Sequence, residues 1–318
     1  MKIRKSNTLT AFPTANLLRG AALLALVCLL LAPGRALAQD PAQDTYDSVD
    51  AAVAAFTGVF DTGEREPLRK VLGPALATFT SGDEVQDKTE LKRLDKAVKE
   101  RVRTVMIDKK RAVLYIGALN WPFPIPLVQN AAGKWYFDTV AGREEYLNRR
   151  IGRNELSTMA TLHAVAKAQL EYANEDRDGD GIIEYAQKFV STPGSKDGLH
   201  WTVAEGEPKS PVGDLVATLR DEGYGAEAKS YRGYRFALLL KQGPAAIGGA
   251  KEYLVDGNLV RGFAIVAWPV SWGSSGIMTF MIGPDGRVFE KNLGPKTAEL
   301  APALDTFNPD KSWKLSVE

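Results

Sequence analysis

Cysteine and histidine are almost absent from this chain. One Cys and two His occur among 318 residues. A zinc finger, an iron–sulfur cluster and a disulfide framework each need several such side chains, so none of them fits. Long apolar runs are lacking too. Ala21 to Ala32 spans about 12 residues, against the roughly 20 that cross a bilayer as a helix. The chain holds no G-x-G-x-x-G, no G-x-x-x-x-G-K-[ST] and no G-x-S-x-G. No nucleotide cofactor and no serine-elbow hydrolase is therefore expected. Neither sign of charge dominates, with 40 basic against 39 acidic residues. What is present, 45% hydrophobic and 25% charged residues, is the composition of an ordinary globular protein.

The first segment reads as an address. Lys2, Arg4, Lys5 and Arg19 precede the apolar run, and Ala36-Leu37-Ala38 follows it. A basic start, a short apolar stretch and an A-x-A ending predict a secretory signal peptide over residues 1–38, cut after Ala38. Removing it takes away five basic residues and Cys28. The mature chain then has 40 − 5 = 35 basic residues against 39 acidic ones, a net charge of −4. That balance favours neither nucleic acid nor an anionic surface. A cysteine-free chain suits a periplasmic or secreted location, where no thiol can mispair.

The remainder predicts an α+β protein in two modules. Residues 39–46 form a polar, flexible leader. Val49, Ala52, Val53, Phe56 and Phe60 recur at helical spacing. Pro67 to Leu72 is a second short helix, and Leu91, Leu94 and Val98 mark a third. From Arg101 the period falls to two, and strands follow over Val102–Ile107, Ala112–Leu119 and Lys134–Asp138. Pro122, Pro124 and Pro126 lack ladder donors, so their strand should lie at an edge or pair through its other residues. This makes residues 47–141 an N-terminal α+β domain. Residues 142–318 make a long helix, Gly142 to Asn174, followed by an antiparallel meander. The helix is either about 50 Å long or broken near Gly152. Ser210 and Pro211 read as the start of a further helix. Strands are expected over Tyr231–Leu240, Gly262–Val270, Gly276–Ile282 and Arg287–Leu293, with a helix near Thr297 to Thr306.

Several segments carry a resemblance. Trp121-Pro-Phe-Pro-Ile-Pro-Leu-Val, Arg149-Arg-Ile-Gly-Arg-Asn-Glu-Leu, Ala168-Gln-Leu-Glu-Tyr-Ala and Gly262-Phe-Ala-Ile-Val-Ala-Trp-Pro, completed by Thr279-Phe and Gly286-Arg-Val-Phe-Glu-Lys-Asn-Leu-Gly, resemble the bacterial domain-of-unknown-function family 2950. The resemblance covers residues 47–315 and implies an exported protein, without implying an activity. The first module, ending in Gly133-Lys-Trp-Tyr-Phe-Asp, is similar in pattern to the nuclear-transport-factor-2-like cone. The second is similar to the soluble part of type IV pilins, but with the charged stretch Arg143 to Glu155 where pilins carry an apolar anchor.

The acidic loop after the long helix is the clearest candidate for chemistry. Asp176, Asp178 and Asp180 occupy alternate positions, Gly181 allows a sharp turn, and Glu184 follows. Convergent hard oxygens of this kind suit a structural calcium ion. The expected twelfth-position glutamate of an EF-hand is Gln187 instead. Without a cation these carboxylates repel, and they stand at the negative end of a helix.

Other candidates are sparse. His163 sits on the long helix. His200 lies beside Trp201 and is the only histidine outside it. The arginines of the stretch Arg143 to Glu155 form either surface ion pairs or an anion-binding cluster. Trp121, Phe123, Trp268 and Trp272 belong either to the core or to a binding groove. The function expected is that of a non-enzymatic exported protein binding an envelope protein or glycan, or serving envelope assembly. The alternative is an envelope hydrolase acting on a glycan or ester through His200 or a carboxylate pair.

Overall fold

In the computed structural model the described residues are 42–62, 65–177, 179–225 and 228–317. The proposed signal peptide and residues 39–41 of the leader lie outside them. The architecture is α+β, with antiparallel sheets packed against helices.

Three helices open it: α1 (Val49–Thr62), α2 (Arg65–Leu72) and α3 (Glu84–Glu100). A 3-10 turn, Pro74–Phe79, joins the last two. The side chain of Asp83 caps α3 by accepting from the backbone N–H groups of Val85 and Gln86. These helices cover one face of a sheet built from β1 (Val102–Asp108), β2 (Arg111–Ile116), β3 (Trp121–Pro122), β4 (Leu127–Gln129) and β5 (Trp135–Phe137). The order is β1-β2-β4-β5, with β3 also on β2. The proline-rich segment thus splits into β3 and β4, the physical consequence of its missing donors. The carbonyls are still used. Pro126 O accepts from Asp138 N at 2.8 Å, and Pro122 O accepts from Arg149 Nη1 at 2.6 Å. Phe56, Phe123 and Phe137 meet at the centre of this first core, with Leu72, Leu114 and Leu127 around them.

The long helix α4 runs unbroken from Thr139 to Tyr172, about 51 Å at 1.5 Å per residue. Gly152 does not interrupt it. Gly142 lets it pass close to the first sheet, since a Cβ there would lie 2.7 Å from the Ile125 Cα. Leu147 is buried near its start, while Met159, Leu162, Val165 and Tyr172 belong to a second core.

The second core contains α5 (Gly213–Asp221) and the strands β6 (Tyr234–Leu239), β7 (Lys241–Gln242), β8 (Lys251–Glu252), β9 (Leu254–Val255), β10 (Asn258–Leu259), β11 (Ala264–Pro269), β12 (Thr279–Ile282), β13 (Val288–Lys291), β14 (Thr306–Phe307) and β15 (Lys314–Leu315). The main sheet has the order β15-β13-β12-β11-β6. Every residue of β11 is buried, which explains its unbroken apolar run. Two expected helices change. Helix α5 starts at Gly213 because Ser210 is occupied by a contact with His200 and does not cap it. The C-terminal helix shortens to α6 (Thr297–Leu300) and a 3-10 turn that contains Pro302.

The described residues form one compact unit, and buried polar groups join its two cores. Asp83 Oδ2 accepts from Tyr224 Oη, Ser230 Oγ and Gly233 N, each at 3.1 Å. Asn154 donates to the Ser275 carbonyl and exchanges bonds with Gln86. Ser274 Oγ donates to the Thr80 carbonyl. The Gly273 to Gly276 loop is thus a turn that ties the second sheet to the first core.

Candidate functional site

The first core is not completely filled. A cavity of about 800 Å³ opens between α2, α3, α4 and the β2–β3 connection. This lies within the roughly 300–1,000 Å³ typical of small-molecule sites.

Helical periodicity decides what lines it. On α3, Glu90, Leu91, Leu94 and Ala97 follow one another at spacings of one, three and three residues, and all face the cavity. On α4, Tyr146, Arg149, Arg150 and Arg153 stand at i, i+3, i+4 and i+7, so one face presents an aromatic ring and three guanidiniums. Leu68 and Leu72 of α2, Leu76 and Phe79 of the 3-10 turn, and Ile116, Phe123 and Ile125 of the sheet side complete the apolar wall. Leu91, Leu94 and Ala97 are only half-buried. They pack against the first core on one side and line the open space on the other. At the mouth, Leu119 is 94% exposed and Trp121 37% exposed.

The cavity lining is therefore mixed. Leucines make up much of its wall, and charge gathers around Glu90, with Glu100 set apart beside Ala118. Glu90 organises the charged end: Oε2 accepts from Tyr146 Oη at 2.6 Å and stands 3.3 Å from Arg150 Nη2, while Oε1 accepts from Arg153 Nη2 at 3.0 Å. Burial, reinforced by the Glu90 carboxylate, raises the Tyr146 pKa well above its ordinary value. The phenol therefore stays a donor. Arg149 donates to Glu145 at 2.6 Å and stacks over Trp121, its Cζ 5.0 Å from the ring centroid.

Arg150 is the unusual member. Only 1% of its side chain is exposed. Nη2 donates to the Phe79 carbonyl and to Tyr146 Oη. Its Nε and Nη1 have no hydrogen-bond partner among the described residues.

The structure distributes the other sequence candidates. Asp176 accepts from Gly179 N at 2.7 Å and Gly181 N at 2.9 Å. Asp180 accepts from Ile182 N and from Asn258 Nδ2. Glu184 is buried and turned toward β10, where Leu259 N donates to it at 2.8 Å. Asp178 lies outside the described residues. Among the described residues, no three His, Cys, Asp or Glu side chains are grouped to hold a metal ion. The placed carboxylates serve chiefly as acceptors for the loop's backbone N–H groups. His163 lies half-buried on α4.

His200 Nδ1 lies 2.9 Å from Ser210 Oγ, and its Nε2 lies 3.5 Å from Arg220 Nη2. A serine–histidine pair at this distance invites comparison with a nucleophile and its base. A hydrolytic triad places a carboxylate on the second nitrogen, to orient the imidazole and stabilise its cation. A guanidinium occupies that place here. Burial, then Arg220, lowers the His200 pKa. The unfolded imidazole gains its proton near pH 6.5, the folded one only at lower pH. Stability from this site is present above pH 6.5 and is lost as the pH falls toward the folded value. Urea unfolding at pH 7.5 and 5.5 should show a drop that is smaller in His200→Gln.

The aromatics separate as well. Trp121 and Phe123 line the cavity. Trp268 is buried in the second core, and Trp272 Nε1 donates to Asn292. The cavity itself is not legible in the sequence, although the spacing of Leu91, Leu94 and of Arg149, Arg150, Arg153 is its local signal.

A family model described as a protein of unknown function, DUF2950, matches residues 43–316. No curated protein matches, and no solved structure does.

Proposed function

The chain belongs to the DUF2950 family, and since that membership brings no chemistry with it, we propose from the chain's own geometry that it is an exported, non-enzymatic protein that binds a small ligand with an apolar body. The cavity of about 800 Å³ between α2, α3, α4 and the β2–β3 connection carries this reading. Apolar surface left in contact with water costs about 25 cal/mol per Å², and an apolar ligand recovers that cost. The leucine-rich lining favours such a body over a glycan, which calls for polar partners and flat stacking faces. Export rests on the N-terminal segment. Among the described residues, no helix is long and apolar enough to cross a membrane.

The test is a titration with a neutral, polarity-sensitive fluorophore. Saturable enhancement is expected. Ala97→Trp, which fills the cavity from α3, should weaken it at least about tenfold, the equivalent of roughly 1.4 kcal/mol. Absence of saturable binding, or binding indifferent to Ala97→Trp, would overturn the proposal.

A further inference from the structure

The charged end of the cavity says more about the ligand than its volume does. Four guanidiniums line the cavity there: Arg93, Arg149, Arg150 and Arg153. Asp87 and Glu90 face them from α3, and Glu145 holds Arg149 from behind. At that end four cations stand against three carboxylates; Glu100, which also lines the cavity, lies ten residues beyond Glu90 on α3, where it faces Lys96 and accepts from Ala118 N. The neighbouring Arg232 does not alter this, because it is paired with Glu222.

The pairing pattern locates the excess. Arg149 is committed at both ends, to Glu145 and to the Pro122 carbonyl. Glu90 is shared between Arg150 and Arg153. Asp87 lies 4.0 Å from Arg150 and already accepts from Ser81 N through both oxygens. Arg150, buried and with two donors idle, is thus an under-neutralised cation beneath the charged end. A buried charge without full pairing is costly, and an added anion lowers that cost. Arg153, half exposed, and exposed Arg93 stand where such a group can reach them.

We infer that the ligand is an amphiphile with one apolar chain and one terminal anionic group. The chain lies against Leu68, Leu72, Leu91 and Leu94, and the anion pairs with Arg153 and Arg93 above Arg150. The anion adds charge-assisted hydrogen bonds, and the chain supplies burial. This inference rests on the apolar-ligand reading above and adds the charge to it.

Calorimetry with decanoate, decanol and acetate separates the two. Decanoate should bind at least about tenfold more tightly than decanol, and acetate should give no measurable heat. The double variant Arg93→Gln, Arg153→Gln should lower decanoate affinity to that of decanol while leaving decanol unchanged. Its far-ultraviolet circular dichroism and melting temperature report whether the fold survives. Glu90 keeps Tyr146 and Arg150 as partners in that variant. Equal affinity of decanoate and decanol, both displacing the neutral fluorophore, would overturn the anionic group and leave the apolar pocket standing. Failure of both to bind would overturn both readings. Acetate binding as tightly as decanoate would overturn the amphiphile in favour of a plain anion site.

Discussion

Asp83→Ala should destabilise the protein by about 4 kcal/mol, near the upper limit for a single substitution. Asp83 is 3% exposed, and its two oxygens do separate work. Oδ1 caps α3, a contribution of roughly 0.5–2 kcal/mol. Oδ2 gathers Tyr224, Ser230 and Gly233 from the other core. Alanine would leave those donors without an acceptor, at about 1–3 kcal/mol for each buried group. Burial, then the Asp83 charge, raises the Tyr224 pKa, which keeps its hydroxyl a donor. Urea denaturation followed by both circular dichroism and tryptophan fluorescence checks the value. Because Asp83 links the two cores, the two probes should also cease to coincide in the variant. Asp83→Asn keeps an acceptor oxygen and should recover part of the loss.

Arg150→Met should cost about 3 kcal/mol. Removing one partner of a buried ion pair leaves the other uncompensated, typically a loss of 3–5 kcal/mol. The lower end applies here because Glu90 keeps its bonds from Tyr146 and Arg153. The Phe79 carbonyl also loses its donor. Lysine should rescue the variant only in part: both bonds come from the single nitrogen Nη2, whose place an ammonium can take, but lysine loses the flat guanidinium that lies over the Tyr146 ring. The check is the chemical-denaturation midpoint of Arg150→Met and Arg150→Lys. Equal stability of Arg150→Lys and the unaltered protein would contradict this account.

Local signals fix the elements where one periodicity rules. The helices at Val49–Thr62 and Glu84–Glu100 and the strands at Val102–Asp108 and Ala264–Pro269 follow from spacing alone. The proline run declared its own weakness, and it splits as its missing donors require. Spacing failed at Ser210, whose hydroxyl is claimed by His200 instead of by the helix after it. A side-chain partner ten residues away is invisible to a local pattern.

The candidate site was legible only in pieces. The arginines of the stretch Arg143 to Glu155 were open to two meanings, surface pairs or an anion cluster. The fold divides them: Arg149 pairs on its own helix, while Arg150 is buried against another one. The four aromatics are open in sequence to core or groove, and the fold divides them: Trp121 and Phe123 reach the cavity, while Trp268 is buried in the second core. The acidic loop was prominent in sequence because its residues are adjacent. In the fold Asp176 accepts from nearby N–H groups, and Asp180 and Glu184 both reach β10, at Asn258 and Leu259.

By itself the sequence determined the α+β class, most element positions and the family, because hydrophobic period, capping and turn chemistry act over a few residues. Tertiary structure alone decided the site. The cavity gathers side chains from Leu68 to Arg153 across three helices and a strand connection. Which of them pack and which are left facing open space depends on how those elements meet, and no local pattern encodes that distance.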